Sequence, residues 1–323
     1  MDDNMATITI NKQVLNKFSM AGLFLIFLFG LFFGVLSYSY SAYGANNTSV
    51  LVRVNITNTE PVLYNVIVNN DPIDLTPGAN TTVNCTGLVW DYNGWQDIAI
   101  VNASIFRNST AVGVNAADDR NHHYSNKTCT PCVQYLGTST NASCSCLFSV
   151  DYYADNGTWE CNMTVFDTYG VNSSNKTQFQ VNPLLALSTP TEIDYGNLVV
   201  TQTSPKIGLN ITNVGNIPLN LTLRSHAGID DTDSNQNWSL SCLFGNMSFS
   251  QHRWTINSSL PFDSMTPFSN DSVDVGNFTL QQRTSDTNYS SGDRNSTYFQ
   301  LRVPLTVGGY CNGTVYFNAV SAS

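Results

Sequence analysis

The stretch "ADNGTWECNMTVFDTYG", Ala154 to Gly170, sets a cysteine in an apolar alternation and places a glycosylation acceptor on either side of it. The acceptors are Asn156-Gly157-Thr158 and Asn162-Met163-Thr164, both N-x-[ST]. Successive side chains of a strand point to opposite faces. A core that takes Cys161, Met163 and Val165 therefore turns Asn162 and Thr164 to solvent. "TTVNCTGLVWD" obeys the same rule, with Val83 and Cys85 inward and Asn84 outward. The sugars expected here coat the outer face of the strands whose inner face forms the core.

Outward from this stretch, no convincing 3.6-residue apolar period follows residue 45. Short alternating runs are broken instead by Gly, Pro, Asn and Asp, the pattern of antiparallel β-sandwiches. In "PKIGLNITNVGNIPLNLTLRS", Ile207, Leu209 and Ile211 alternate with Gly208, Asn210 and Thr212. The turn "NVGN" follows, then Leu219, Leu221 and Leu223 alternate with Asn220, Thr222 and Arg224. "VNPLLALSTPTEIDYG" carries two prolines and restarts the pattern, which places a boundary near residue 184. The expected fold is all-β: two tandem sandwiches, 46–183 and 184–323, after an N-terminal segment, 1–45.

Asp155-x-Gly157-x-Trp159-x-Cys161 resembles the D-x-G-x-Y-x-C signature that opens strand F of immunoglobulin-like domains. The resemblance implies a bridge from Cys161 to Cys85 on strand B, with Trp90 as a cover. It also implies that the hydroxyl bond of a tyrosine corner cannot form as such, because Trp159 stands where Tyr is usual. The second region, from "EIDYGNLVVTQTSPKIGLNITNVGNIPLNLTL" to "LRVPLTVGGYCNGTVYFNAV", resembles the immunoglobulin-like modules related to major-sperm-protein and pilus-chaperone sandwiches. Cys242 and Cys311 are left for one disulfide there. The whole arrangement, with its "NPLLAL" link from Asn182 to Leu187, resembles uncharacterised cell-surface proteins of small-genomed archaea over most of residues 50 to 320. That resemblance implies a location and no activity.

Composition narrows the setting. The chain of 323 residues has a net charge of −10, and only three Lys and eight Arg follow residue 45, which argues against nucleic acid as a partner. Met20 to Leu36 carry no charge and follow Lys12 and Lys17, so a signal peptide or membrane anchor is expected in 1–45, with the remainder exported. Ala42-Tyr43-Gly44 offers a cleavage site, and both fates of the segment stay open. Eight cysteines in an exported chain read as disulfides. For the insertion, Cys129–Cys146 and Cys132–Cys144 are the expected pairs, in preference to a zinc site.

There are 23 acceptor sequons among the 36 Asn after residue 45, where Ser and Thr frequencies would give about 8 by chance. In the first region they are Asn46, Asn47, Asn55, Asn80, Asn84, Asn102, Asn108, Asn126, Asn141, Asn156, Asn162, Asn172 and Asn175. In the second they are Asn210, Asn220, Asn237, Asn246, Asn257, Asn270, Asn277, Asn288, Asn295 and Asn312. Such density marks a glycosylated exterior.

No G-x-S-x-G, H-E-x-x-H or phosphate loop is present, and the three Glu (Glu60, Glu160, Glu192) leave little for carboxylate-pair hydrolysis, so no enzyme activity and no cofactor are expected. Asp118, Asp119, His122 and His123 in "AADDRNHHY" read as an exposed polar loop tip rather than a metal site. His226 and His252 have no obvious partners. Asp91 with Asp97, and Asp230, Asp231 and Asp233, are the candidates for calcium, without the Gly and closing Glu of an EF-hand.

What remains is a structural reading: a self-assembling, N-glycosylated subunit of an archaeal surface layer or extracellular filament, with itself as partner. Val50, Val52, Val54 and Ile56 in "NTSVLVRVNITN" form an apolar stripe. It reads either as the first strand of its own sandwich or as a strand donated to a neighbouring subunit. The alternative class is a membrane-anchored adhesin, held through residues 20–36 and contacting a host cell or glycan through Trp95, Tyr124 or Trp254. A class III pilin ranks lower, because Ser, Tyr and Asn follow the hydrophobic segment at once.

Overall fold

The computed structural model describes residues 49–109, 112–229, 237–284 and 292–322. The expected helix at Met20–Leu36, the sequons Asn46, Asn47 and Asn288, and the acidic run Asp230, Asp231 and Asp233 lie outside the described residues. The chain divides into two units, 1–57 and 58–323.

In the larger unit the period-two alternation becomes eighteen strands among the described residues. The first eight are β1 (Val62–Val68), β2 (Thr81–Trp90), β3 (Ile98–Arg107), β4 (His123–Asn126), β5 (Thr130–Gln134), β6 (Asn141–Val150), β7 (Gly157–Asp167) and β8 (Asn172–Val181). They form two antiparallel sheets, β1-β2-β6-β5 and β4-β3-β7-β8. Their facing sides supply one core, with Val83, Cys85, Ile105, Phe148, Trp159, Met163 and Val165 among its members.

The second sandwich holds β9 (Leu187–Ser188), β10 (Ile207–Asn213), β11 (Leu219–Ala227), β12 (Leu240–Phe244), β13 (Asn246–Met247), β14 (His252–Thr255), β15 (Thr266–Pro267), β16 (Val273–Leu280), β17 (Arg294–Leu301) and β18 (Gly308–Ser321). Its sheets are β15-β14-β17-β10-β9 and β13-β12-β18-β11-β16. Ile211, Leu219, Leu221, Leu223, Phe278 and Phe299 lie at the centre of its core. Every sheet lies wholly within 62–181 or within 187–321.

Four disulfides brace this frame. Cys85–Cys161 joins the two sheets of the first sandwich, from β2 to β7. Cys129–Cys146 and Cys132–Cys144 staple β5 and the segment before it to β6. Cys242–Cys311 ties β12 to β18. Trp159 is fully buried against Tyr124 and Phe179. Its indole Nε1–H donates to Asp155 O at 2.7 Å, so a ring nitrogen makes the corner bond that a tyrosine hydroxyl makes in the signature. Trp90 does not cover the bridge; it is 44% exposed and its ring lies beside Tyr92.

The sandwiches are locked together by the turn after β10. Asn216 Nδ2–H donates to Ala154 O at 3.0 Å, and Asn216 Oδ1 accepts from Leu184 N at 2.6 Å. Gln282 Nε2–H reaches Tyr153 O and Asp155 Oδ1 at 2.7 and 2.8 Å. The Arg283 guanidinium lies over the Tyr153 ring. These contacts satisfy backbone groups that a linker buried at a domain junction would otherwise leave unpaired.

Residues 49–57 of the smaller unit form no strand. Val50, Val52, Val54 and Ile56 are 84, 84, 81 and 75% exposed. The first strand within 58–323 is β1, beginning at Val62.

Candidate functional site

The polar groups singled out by the sequence are occupied in structural bonds. His122 is held between Asp119 (Nδ1 to Oδ2, 2.8 Å) and Asp155 (Nε2 to Oδ2, 3.2 Å), and Arg107 also pairs with Asp155 at 2.9 Å. His123 is buried and pairs with Asp118 through Nδ1 at 2.7 Å. Asp118 and Asp119 are exposed, as a loop tip would be, whereas His122 is half-buried and His123 buried; the group lies beside the sandwich junction, where Asn121 donates to Tyr153 O and Arg283 O. Hydrogen bonding to these carboxylates occupies the ring nitrogens that would face a metal.

His226 and His252 do have partners. His226 bonds Ala227 O and Tyr316 OH. His252, enclosed in the second core, bonds Ser239 Oγ at 2.7 Å and Tyr195 OH at 2.8 Å, and burial pushes its pKa down to about 3.

Asp91 is buried and Asp97 half-buried, near Asp167 at the end of the first sandwich remote from the second. Each carboxylate organises a turn. Asp91 accepts from Asn93 N at 2.7 Å, Asp97 from Thr168 Oγ1, and Asp167 from Tyr169 N and Val171 N at 2.9 Å. Among the described residues no three His, Cys, Asp or Glu side chains converge to hold a metal ion.

Burial first, then the charges of Asp97 and Asp167, holds Asp91 above the usual carboxylate range. Keeping it ionised at neutral pH therefore costs stability, and the cost disappears as acid protonates it in the folded state. Asp91→Asn keeps an acceptor for Asn93 and removes the charge. We expect it to raise the stability of the protein at pH 7. The gain should shrink as pH falls through the folded pKa toward 3.8, measured by denaturant melts across that range.

All the described sequon asparagines lie outside the buried class, on strand faces and loops alike. The attachment nitrogens of Asn126 and Asn175 donate to Leu147 O and Leu63 O in the bare chain. Of the aromatics proposed as surface contacts, Tyr124 and Trp254 are buried in the two cores, and Tyr124 OH is spent on Arg120 O and Asp151 N. Trp95 alone reaches an open surface. It lines a groove of about 530 Å³ with Ile98, Ile100, Val101 and Pro131, where β3 runs on past the end of β4.

Among the exposed apolar features of the described residues are this groove, the stripe Val50–Ile56, and a tip on the second sandwich. At that tip Leu243 and Phe244 are 71 and 67% exposed beside Tyr310 at 82%. Sequence reasoning passed over the tip. Its signal was an apolar pair inside "SCLFGN", where a hairpin turn favours Gly, Asn, Asp, Pro or Ser.

No protein-family model matches the chain, and no curated protein matches it. Among solved structures it is similar to the CsuC–CsuE chaperone–tip adhesion subunit pre-assembly complex of archaic chaperone-usher Csu pili from Acinetobacter baumannii. That match has 10% identity over 76% of this chain and 96% of the other, with a TM-score of 0.32. It is also similar to a carbohydrate-binding module of the β-sandwich superfamily, at 11% identity over 82% and 99% and a TM-score of 0.23. A third is BcpA, the major pilin subunit of Bacillus cereus, at 10% identity over 72% and 68% and a TM-score of 0.24. None of these likenesses assigns an activity. Among the described residues no helix is long and apolar enough to cross a membrane.

Proposed function

We propose that the chain is a self-associating structural subunit of an archaeal cell exterior, N-glycosylated on its strand faces, and that Val50–Ile56 is the strand it donates to a neighbour. One observation carries the reading: in the seven-residue stretch VLVRVNI the apolar stripe Val50, Val52, Val54 and Ile56 stands exposed, and residues 49–57 form no strand. Such a stretch is an aggregation hazard on a lone protein. Added to an open sheet edge, it gains main-chain bonds along its length and side-chain pockets at every second residue. Disulfide-tied sandwiches, paired polar groups and the density of sequons support a scaffold role over a catalytic one. The archaeal setting rests on the resemblance across residues 50 to 320.

The test replaces Val52→Asp together with Val54→Asp, two charges on the face that would enter the neighbour. Both side chains are exposed, so the unfolding free energy should stay within about 0.5 kcal/mol of wild type. Light scattering and electron microscopy should show assemblies of the parent chain and monomers of the variant. A variant that assembles as the parent does would remove the strand from the account. A parent that stays monomeric at every concentration would leave the adhesin class, which needs a foreign partner.

A further inference from the structure

The last strand of the second sandwich borders a core that is not closed. Residues 313–321 of β18 pair with β11, from Ala227 opposite Gly313 to Leu219 opposite Ser321. β12 pairs with β18 only between Gly308 and Asn312. Among the described residues no other strand pairs with 313–321, so about 30 Å of β18 has a strand neighbour on one side only. Val315, Phe317 and Ala319 on this length pack against the second core, yet all three stay half-buried. On the neighbouring β11, Leu219, Leu221 and Leu223 are at most 1% exposed. The other long edge strands close over their cores: Val66 on β1, Phe179 on β8 and Phe278 on β16 are buried. One further strand beside β18 would enclose what β11 alone leaves open.

Pattern and reach together name the occupant. Val50, Val52, Val54 and Ile56 repeat at the two-residue period of a strand, with Leu51, Arg53 and Asn55 between them. Laid along β18 with the stripe inward, the segment covers Val315, Phe317 and Ala319 and turns the acceptor Asn55 to solvent. No acceptor sequon begins within 313–321; Asn312 stands at the border. A copy cannot fill its own edge. Asn58 is held by Asp167 through Nδ2 to Oδ2 at 2.6 Å, and Thr59 N donates to Asn93 Oδ1 at 2.7 Å. Asp167 ends β7, about 33 Å along that strand from Gly157 at the junction end of the first sandwich. The open edge of β18 begins beyond the junction, at Ser321 beside Leu219. Val50 is the stripe's farthest residue from Asn58, and a fully extended chain takes it at most about 28 Å away.

We infer that the open edge of β18, residues 313–321, receives Val50–Ile56 of a second copy as its neighbouring strand. This rests on the reading that the chain donates that segment, and it names the acceptor. Main-chain bonds to β18 hold the segment, and its apolar side chains close the core over Val315, Phe317 and Ala319. The donor is tethered at the far end of the first sandwich, whereas the acceptor edge belongs to the second. Each copy therefore gives one strand and takes one. The contact is heterologous and propagates into an open filament unless its rotation closes a ring.

A photo-reactive phenylalanine analogue in place of Arg53, in the full chain, tests the acceptor while leaving the stripe intact. Isotope-labelled and unlabelled copies are mixed, assembled, irradiated and digested. The expected product joins position 53 of one copy to a peptide of another that contains 313–321. Hydrogen–deuterium exchange of the parent chain needs no substitution. Amides of 313–321 that point away from β11 should exchange fast in the dispersed subunit and about a hundredfold or more slowly in assemblies. Cross-links from position 53 to the edge of β1, β8 or β16 of another copy, with exchange in 313–321 unchanged by assembly, would overturn β18 as the acceptor and leave the donated strand standing. Assemblies in which position 53 reaches no other copy, and in which 313–321 exchanges as in the dispersed subunit, would remove both. A parent chain that never assembles removes both as well.

Discussion

Replacing Cys85 and Cys161 together by alanine should lower the stability of the first sandwich by about 4 kcal/mol, read from denaturant melts under oxidising conditions. The bridge closes a loop of sequence separation 76, and the entropy it removes from the unfolded chain grows with the logarithm of that length. The two short bridges, with separations of 17 and 12, act on much smaller loops and should each cost about 1 kcal/mol less. Both sulfurs of Cys85–Cys161 also sit in a fully enclosed core, so alanine leaves a cavity as well as a freer chain. A double variant that melts with the parent would mean that the packing around Trp159 alone holds the sheets together.

The second large effect is expected at Gly215. A Cβ there would lie 2.1 Å from Leu184 O and 3.0 Å from Ala186 N, both backbone atoms of the link between the sandwiches. No rotamer relieves such a clash. The turn must leave the link, which breaks Val214 N to Ala186 O and Asn216 N to Leu184 O, at 3.1 and 3.0 Å. Gly215→Ala should therefore cost about 3 kcal/mol. It should also split one cooperative unfolding transition into two, because the sandwiches lose the turn that couples them. An unshifted single transition would show that the junction is held chiefly by Gln282 and Arg283.

The sandwich architecture was legible because strand alternation is a local property. Ile207 to Ile211 and Leu219 to Leu223 announce a buried face whatever the chain does elsewhere, and they form β10 and β11 with that face inward. What stayed hidden depended on long-range placement. Tyr124 and Trp254 look like surface aromatics in sequence, but Tyr124 packs on Trp159 and Trp254 pairs with Phe299, each on a strand more than thirty residues away. The indole bond of Trp159 required knowing where Asp155 O would point. His252 had no visible partner because Ser239 and Tyr195 reach it from other elements of the second sandwich.

The stripe at Val50–Ile56 was visible as an alternation, but its fate was not. A period-two run reads the same whether it pairs at home or elsewhere; residues 49–57 form no strand, and β1 begins at Val62. The exposed Leu243–Phe244 tip was overlooked for the opposite reason: two apolar residues are too few to make a pattern. Their meaning comes from the turn and disulfide that hold them outward.

The central claim is that Val50–Ile56 becomes a strand in a neighbouring copy, and hydrogen–deuterium exchange on assembled material reads this at the amides concerned. The account predicts that amides of 50–56, unprotected in the dispersed subunit, become as slow as those of β2 and β7 once copies assemble. Fast exchange of 50–56 inside fully formed assemblies would contradict it.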